Sequence, residues 1–404
     1  MIEKTLAELT LNITDGKHGD CRGKDNSGFY FISCKDVRDG QIHYEDARQI
    51  IEEDFWDTHK RTRLEPEDIL VTNSGTIGRM AFIRDVPLTY RTTFQKSVAI
   101  VKPDKSKIFP KYLYYQLQNC VDGFVNQSNG AAQKNLLLST MRAFKMNIHE
   151  DEDTQIRIAS ILSVYDGLIE NNQKQIKLLE EAAQRLYTEW FVDLRFPGHE
   201  TTPITDGIPE GWKKDRADAF FNMSIGKTPP RAEKQWFTDG GNGTPWISIS
   251  DMGNYGTYVF DTAEALTVEA ISKHNVKVVP SDTVLVSFKL TVGRVSITTT
   301  DTCTNEAIAH FLISNSMLRE YTYLYLKCFE YDSLGNTSAI SKAVNSKIIK
   351  GMPFVMPDNA TITQFHKIAK PIFDAIKDKQ SMNMKLAEAR DRLLPKLMNG
   401  EIEV

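Results

Sequence analysis

Two short turns carry the residues best suited to chemistry, Thr76-Ile77-Gly78-Arg79 and Thr291-Val292-Gly293-Arg294. Each follows an apolar run and stands beside polar residues, Asn73 and Ser74 in the first, Ser287 and Lys289 in the second. A glycine there supplies positive φ for a tight hairpin, and the arginine beside it is either solvated or presented to a ligand. Arginine on such a loop suits guanine, and asparagine or glutamine suits adenine, when they lie in a major groove. The stretches YRTTFQK (Tyr90 to Lys96) and NQSNGAAQK (Asn126 to Lys134) carry the same residue types. HKRTR (His59 to Arg63) is the densest basic run. It could grip phosphates, although EEDFWD just before it dilutes the field and a solvated face is the usual explanation. Ordinary loops are rich in these residues too, so no single stretch decides.

Catalytic equipment is missing. IGKTPP (Ile225 to Pro230) invites a phosphate-loop reading, but Phe221 stands where the first glycine should be and two prolines follow where a helix should start. There is no GxGxxG, no Asn/Asp-Pro-Pro-aromatic motif, no Asp…Glu-x-Lys nuclease cluster, and no Ser/His/Asp set among eight scattered histidines. Five cysteines without a CxxC point to a reduced cytoplasmic protein without a zinc site. The N-terminus has no apolar signal core and no run approaches membrane-spanning length. The chain reads as a binder.

The positioning elements are two long helices. From Thr154 to Trp190, Ile158, Leu162, Tyr165, Ile169, Asn172, Ile176, Leu179, Ala183, Leu186 and Trp190 recur at alternating steps of four and three. That is a heptad seam, which wants a partner helix, and Asn172 is the polar kind of seam residue that fixes register. Such a rod would be about 55 Å long. The partner is expected in the same chain, from about Thr361 to Asn399, with Pro371 kinking it or marking its true N-terminus. Both helices are read as starting at Thr-Gln, Thr154-Gln155 and Thr363-Gln364. Tyr187, Trp190, Phe191 and Met398 are expected to face outward, toward further chains.

The chain repeats an order. FYFISCKDV (Phe29 to Val37) corresponds to PWISISDMG (Pro245 to Gly253), with Ile32-Ser33 and Asp36 matching Ile247-Ser248 and Asp251. Leu64 to Ile83 corresponds to Val278 to Ile297 with one extra residue, so that Pro66 and Asp68 match Pro280 and Asp282. Lys134 matches Lys342. A globular unit followed by a long helix therefore occurs twice: 1–150 and 199–357 globular, 151–198 a helix and Pro/Gly-rich linker, 358–404 the second helix. The net charge of −4 lies largely in 151–198, with five basic and nine acidic residues; 1–150 holds 21 and 20. Any nucleic-acid face on the nearly neutral globular units must be a local patch.

This ordered set resembles the specificity (S) subunit of a type I restriction-modification system, over essentially the whole chain. TIGR and TVGR, NGAAQKN and TSAISKAVN, the Thr-Gln helix starts, and IPEGW with GKTPP carry the resemblance. The first unit departs from it, with no Pro-Glu-Gly-Trp lead and with DGKHG in place of IGKTP. The resemblance implies duplicated α/β (α+β) target-recognition domains joined by two long antiparallel helices, an intramolecular coiled coil in a pseudo-two-fold repeat. It implies that each domain reads half of a split double-stranded DNA sequence and that the helices set the gap. Two adenine-methyltransferase subunits and restriction/translocase subunits would dock on the scaffold. The chain itself would be non-catalytic and without cofactor; S-adenosylmethionine, ATP and Mg would belong to the partners.

Loop position and residue type then nominate DNA contacts. In the first unit they are Lys17, His18, Arg22, Lys24, Asn73, Ser74, Thr76, Arg79, Arg91, Gln95, Lys96, Asn129, Gln133 and Lys134. In the second they are Lys227, Arg231, Lys234, Ser287, Lys289, Arg294, Asn305, Asn336, Ser338 and Lys342. Some would touch only phosphate and others bases. Two other classes stay open: a structural adaptor that holds proteins and touches no DNA, and an enzyme with an unfamiliar site.

Overall fold

A computed structural model describes residues 1–130, 134–334 and 344–404. Two compact units emerge, residues 1–168 with 386–404, and residues 169–385.

In the first unit the run Ile69–Thr72 is buried at every position, as expected of a strand covered on both faces. It lies inside an antiparallel sheet, between Val98–Pro103 and Met80–Phe82, with Thr10–Asp15 at the far edge. The expected strand–turn–strand from Leu64 to Ile83 is thus observed. A smaller sheet beside it contains a parallel pair, Tyr30–Ile32 with Thr92–Phe94. The helix Pro110–Asn119 opens with proline in its first turn, where the missing N–H costs nothing. It buries Tyr112, Leu113, Tyr115 and Leu117 against the large sheet.

The second unit repeats this plan. Val284–Ser287 lies between Ile308–Leu312 and Val295–Thr298, with Asn222–Ile225 at one edge and Tyr258–Val259 at the other. Its small sheet holds the matching parallel pair, Thr244–Ile247 with Cys303–Thr304. The matches proposed from sequence at Ser33/Asp36 and Ser248/Asp251 are observed. In each, the aspartate accepts from the serine amide, at 2.9 and 2.8 Å, and from the serine hydroxyl, at 2.8 and 2.6 Å. The strand Ile2–Thr5 pairs with Lys145–Ile148 as Lys213–Arg216 pairs with Pro353–Met356. The first unit therefore has the opening strand of the second.

Three expected correspondences shift. Glu67 donates its amide to Ile83 and Asp282 its amide to Thr298, both from positive φ, +72° and +64°. Glu67 thus matches Asp282, and Asp68 matches Thr283. No residue is inserted from there to the end of the hairpin, and Pro66 faces Ser281 rather than Pro280. The helix starts also shift: Asp151 accepts the Thr154 amide (2.8 Å) and hydroxyl (2.6 Å), and Asp358 accepts those of Thr361 (3.0 and 2.7 Å). The shared start signal is Asp-x-x-Thr, a side-chain cap on the first amides, and Thr363-Gln364 lies beyond it.

The helices run from Glu152 to Tyr187, ending in a π turn at Thr188–Val192, and from Asn359 to Met398. Pro371 is neither start nor end; it sits exposed within 40 helical residues. Within each unit the helices meet antiparallel. In the second, Asn172 donates to Asn383 (2.9 Å) and Trp190 meets Phe365 at 5.7 Å between ring centroids. In the first, Arg390 donates to Asp166 (2.8 Å) and Leu397 shares a core with Ile158. Asn383 and Arg390 of the second helix are therefore partners of polar residues on the first helix, Asn172 and Asp166.

The expectation that Tyr187, Trp190, Phe191 and Met398 face outward fails. Tyr187 and Trp190 are buried in the second unit's core, with Phe191 packed against them, and Met398 is buried in the first. Each end of the helix pair is built into a globular unit.

Candidate nucleic-acid interface

The two glycine turns share one internal hook. Thr72 Oγ1 donates to the Thr76 carbonyl and accepts from the Arg79 amide at 2.9 Å. Ser287 Oγ donates to the Thr291 carbonyl and accepts from the Arg294 amide at 3.0 Å. Gly78 and Gly293 close the turns at φ +88° and +85°, a region glycine enters at no steric cost. A Cβ on Gly78 would also meet Val121 at 2.6 Å. Ser287 is fully buried, so it shapes the turn and cannot touch DNA. Its true counterpart is Thr72, one residue before the Asn73 and Ser74 nominated from sequence.

Beside each turn a Gly-Lys pair runs against a strand. Lys17 donates its amide to the Phe94 carbonyl (2.8 Å), and Lys227 to that of Thr304 (2.9 Å). A Cβ on Gly16 would lie 2.0 Å from the Phe94 carbonyl oxygen, and one on Gly226 would lie 2.1 Å from that of Asn305. DGKHG and IGKTP are therefore equivalent. Their glycines are dictated by close backbone approach, and no helix follows Lys227, so the phosphate-loop reading fails on geometry as well. Gln95 and Asn305 also match, donating their amides to Ile32 and Ile247 (2.8 and 3.1 Å).

In the first unit these pieces enclose a cleft of about 450 Å³, lined by Asp15, His18, Asn73, Ser74, Lys96 and residues 135–138. It brings together four nominated residues, His18, Asn73, Ser74 and Lys96, from three separate stretches. His18 Nε2 lies 2.9 Å from Asp15 Oδ2, and the same carboxylate takes Arg61. Leu136 donates its amide to the Asn73 carbonyl (2.8 Å) and Gly75 donates to Lys134 (3.1 Å). Asn129 and Asn135 exchange backbone bonds of 3.0 and 2.8 Å. The polar loop is thereby fastened beside the turn. Asn73 is buried, and its Oδ1 has no partner among the described residues. In the second unit Phe288, fully buried, takes the place of Asn73.

Other nominated cations are engaged with acids. Arg22 reaches Glu53 (2.8 Å) and Asp54 (2.6 Å), and holds the Asp54 carboxyl down at about 2. Lys17 lies 3.4 Å from Asp57. Arg231 lies 4.4 and 4.5 Å from the Phe237 and Trp246 rings and pairs with Glu264 at 2.7 Å. Arg294 is only half-exposed and donates to the Ile249 carbonyl (2.6 Å). Asn305 is taken up in a local turn, accepting from the Ala307 amide (3.0 Å). Lys289 lies 5.5 Å from the Phe288 ring, and Arg91 5.9 Å from that of Phe29. Lys24, Thr76, Arg79, Asn129, Lys134, Lys227 and Lys234 are exposed. Gln133, Asn336, Ser338 and Lys342 lie outside the described residues.

Asp15, Asn135 and Leu136–Leu138 were missed from sequence. Asp15 offered a signal, since it precedes the Gly-Lys pair; the others are placed by pairing between distant loops. Among the described residues no group of three or more His, Cys, Asp or Glu is arranged to hold a metal ion, and no helix is long and apolar enough to cross a membrane.

The family model for the type I restriction modification DNA specificity domain matches twice, over residues 20–181 and 209–386. The type I restriction enzyme HindI specificity subunit of Haemophilus influenzae is 23% identical over 75% of this chain and 80% of its own. The MjaIX specificity subunit of Methanocaldococcus jannaschii is 26% identical over 83% and 78%. A crystal structure of the type I restriction-modification S subunit from M. genitalium covers 98% of this chain and 96% of its own, with a TM-score of 0.57 at 13% identity, and shows the same fold. The chain belongs to the type I restriction modification DNA specificity domain family, with the domain present twice.

Proposed function

We propose that this chain is the non-catalytic sequence reader of a type I restriction-modification complex, in which each unit reads one half of a split DNA target. The observation that carries this reading is the twofold occurrence of the hooked glycine turn beside a Gly-Lys strand crossing. One frame, used twice, presents different side chains: Ser74 in one unit and Lys289 in the other. A reader of two unlike half-sites needs that combination, because base-edge chemistry must vary while the frame that positions it stays constant. The exposed lysines nearby supply phosphate contacts. Two methyltransferase subunits and restriction/translocase subunits are the proposed partners, in the cytoplasm of a bacterial or archaeal cell. S-adenosylmethionine, ATP and Mg belong to those partners. Val164 and Leu168, exposed on the first helix, are candidates for covering by such a subunit.

The test is methylome sequencing of a host expressing this chain with and without its methyltransferase. A split adenine motif that needs both supports the reading; an active methyltransferase that yields no motif sinks it. The adaptor reading draws on one observation, the pairing of Arg22 and Arg231 with carboxylates. Duplex affinity that ignores salt would favour it, and affinity that falls steeply with salt would exclude it.

A further inference from the structure

The second unit's turn holds a side chain that packs against nothing among the described residues. Leu290 is 91% exposed and has φ +60°. The left-handed region crowds Cβ against the following carbonyl, and the first unit puts Gly75 there, at φ +82°. The shape of the turn is set elsewhere, by the Ser287 hook and by Gly293. Leu290 thus brings backbone strain without packing among the described residues, and strain of this kind persists where a ligand uses the residue.

The surroundings narrow the ligand. Lys289 and Thr291 flank Leu290, so among the described residues it is the one large apolar side chain fully exposed on a polar, cationic turn. Protein docking calls for contiguous apolar surface. Duplex DNA offers a matching isolated group, the thymine C5 methyl, which is the apolar feature of base edges in the major groove. We propose that Leu290 packs against a thymine methyl in the half-site read by the second unit. This rests on the DNA-reader function above.

The experiment uses the full chain assembled with its methyltransferase subunits, on duplexes carrying its methylated motif. Each thymine of the motif is replaced in turn by uracil, which keeps every hydrogen-bonding group and lacks only the methyl. At one thymine the wild-type complex should lose about fourfold in affinity, the worth of one buried carbon. Leu290→Ala should bind the thymine duplex about as weakly and show no difference between thymine and uracil. Leu290→Gly should behave like Leu290→Ala while melting at the same or a higher temperature, which excludes misfolding.

Four results would overturn the inference: a motif in which no thymine responds to uracil, an equal uracil effect in Leu290→Ala, methyltransferase subunits lost from the Leu290→Ala complex, or a 2-aminopurine probe that brightens with wild type and not with the variant. The third would mean a protein contact, the fourth a wedge between base pairs. Failure of the wild-type complex to methylate any specific sequence would instead overturn the reader function itself.

Discussion

Asn73, Ser74, His18 and Lys96 converge on one cleft, yet they need not do the same work. Ser74→Ala or Lys96→Ala is expected to alter base preference in one half-site by about 1–3 kcal/mol, read as a changed methylation motif. Lys24 is exposed outside the cleft, and Lys24→Ala should weaken all sequences alike and lower the salt slope by about 1. A change of motif with Lys24→Ala would contradict that division. His310 presents a different residue-scale problem. It is buried between Ser224 and Thr304, 2.7 Å from each hydroxyl, and burial pushes it down to about 4. Above the ordinary histidine value near 6.5 both folded and unfolded forms are neutral, so pH has no effect through this group. Below that value the unfolded chain takes up the proton first, and stability falls until the folded histidine protonates near pH 4. The loss is roughly 3 kcal/mol at most. Melting followed from pH 7 to 4.5 should show the second unit weakening, and His310→Gln should flatten that dependence.

At the scale of elements, the helix Glu52–Thr62 opens with Glu52, Glu53 and Asp54. Acidic side chains there favour the positive end of the helix dipole. With Asp57 they also pair with cations nominated for DNA contact, Arg22 through Glu53 and Asp54, and Lys17 through Asp57. Glu53→Gln, Asp54→Asn and Asp57→Asn together should free about two cations and steepen the salt dependence of non-specific binding by up to about 2. An unchanged slope would show that those cations do not meet phosphate. The helix pair makes its own prediction. Asn172 is buried and donates to Asn383. Asn172→Leu alone should cost about 1–3 kcal/mol, because it strands the Asn383 amide. The double change to leucine should be nearly neutral in denaturant unfolding and should loosen the register of the pair.

For the whole molecule, the two long helices belong to both compact units, since each unit takes part of each helix. Their length is therefore a structural parameter shared by the two units. Removing one heptad from each helix should shorten the gap in the methylated motif while both half-sites stay the same. Altered half-sites at an unchanged gap would mean that the helices do not act as the spacer. The removal must be paired, because a single deletion would slip Asn172 past Asn383 and Asp166 past Arg390.

The sequence by itself determined the duplication, the helices and the turns. Each is written in local chemistry: a heptad repeat, a run of buried strand residues, a glycine where only positive φ closes a hairpin. It also marked which loops carry polar and basic side chains. Tertiary structure decided which of those side chains are available. Ser287 reads as an exposed polar loop residue, yet its hydroxyl closes the turn; Arg231 and Arg294 read as free cations, yet a carboxylate, two rings and a carbonyl hold them. The gathering of His18, Asn73, Ser74 and Lys96 into one cleft depends on strands pairing across tens of residues, which no local pattern encodes. The same holds for Trp190 and Met398. A heptad says that a helix has an apolar face, and only the assembled chain says that this chain covers its ends.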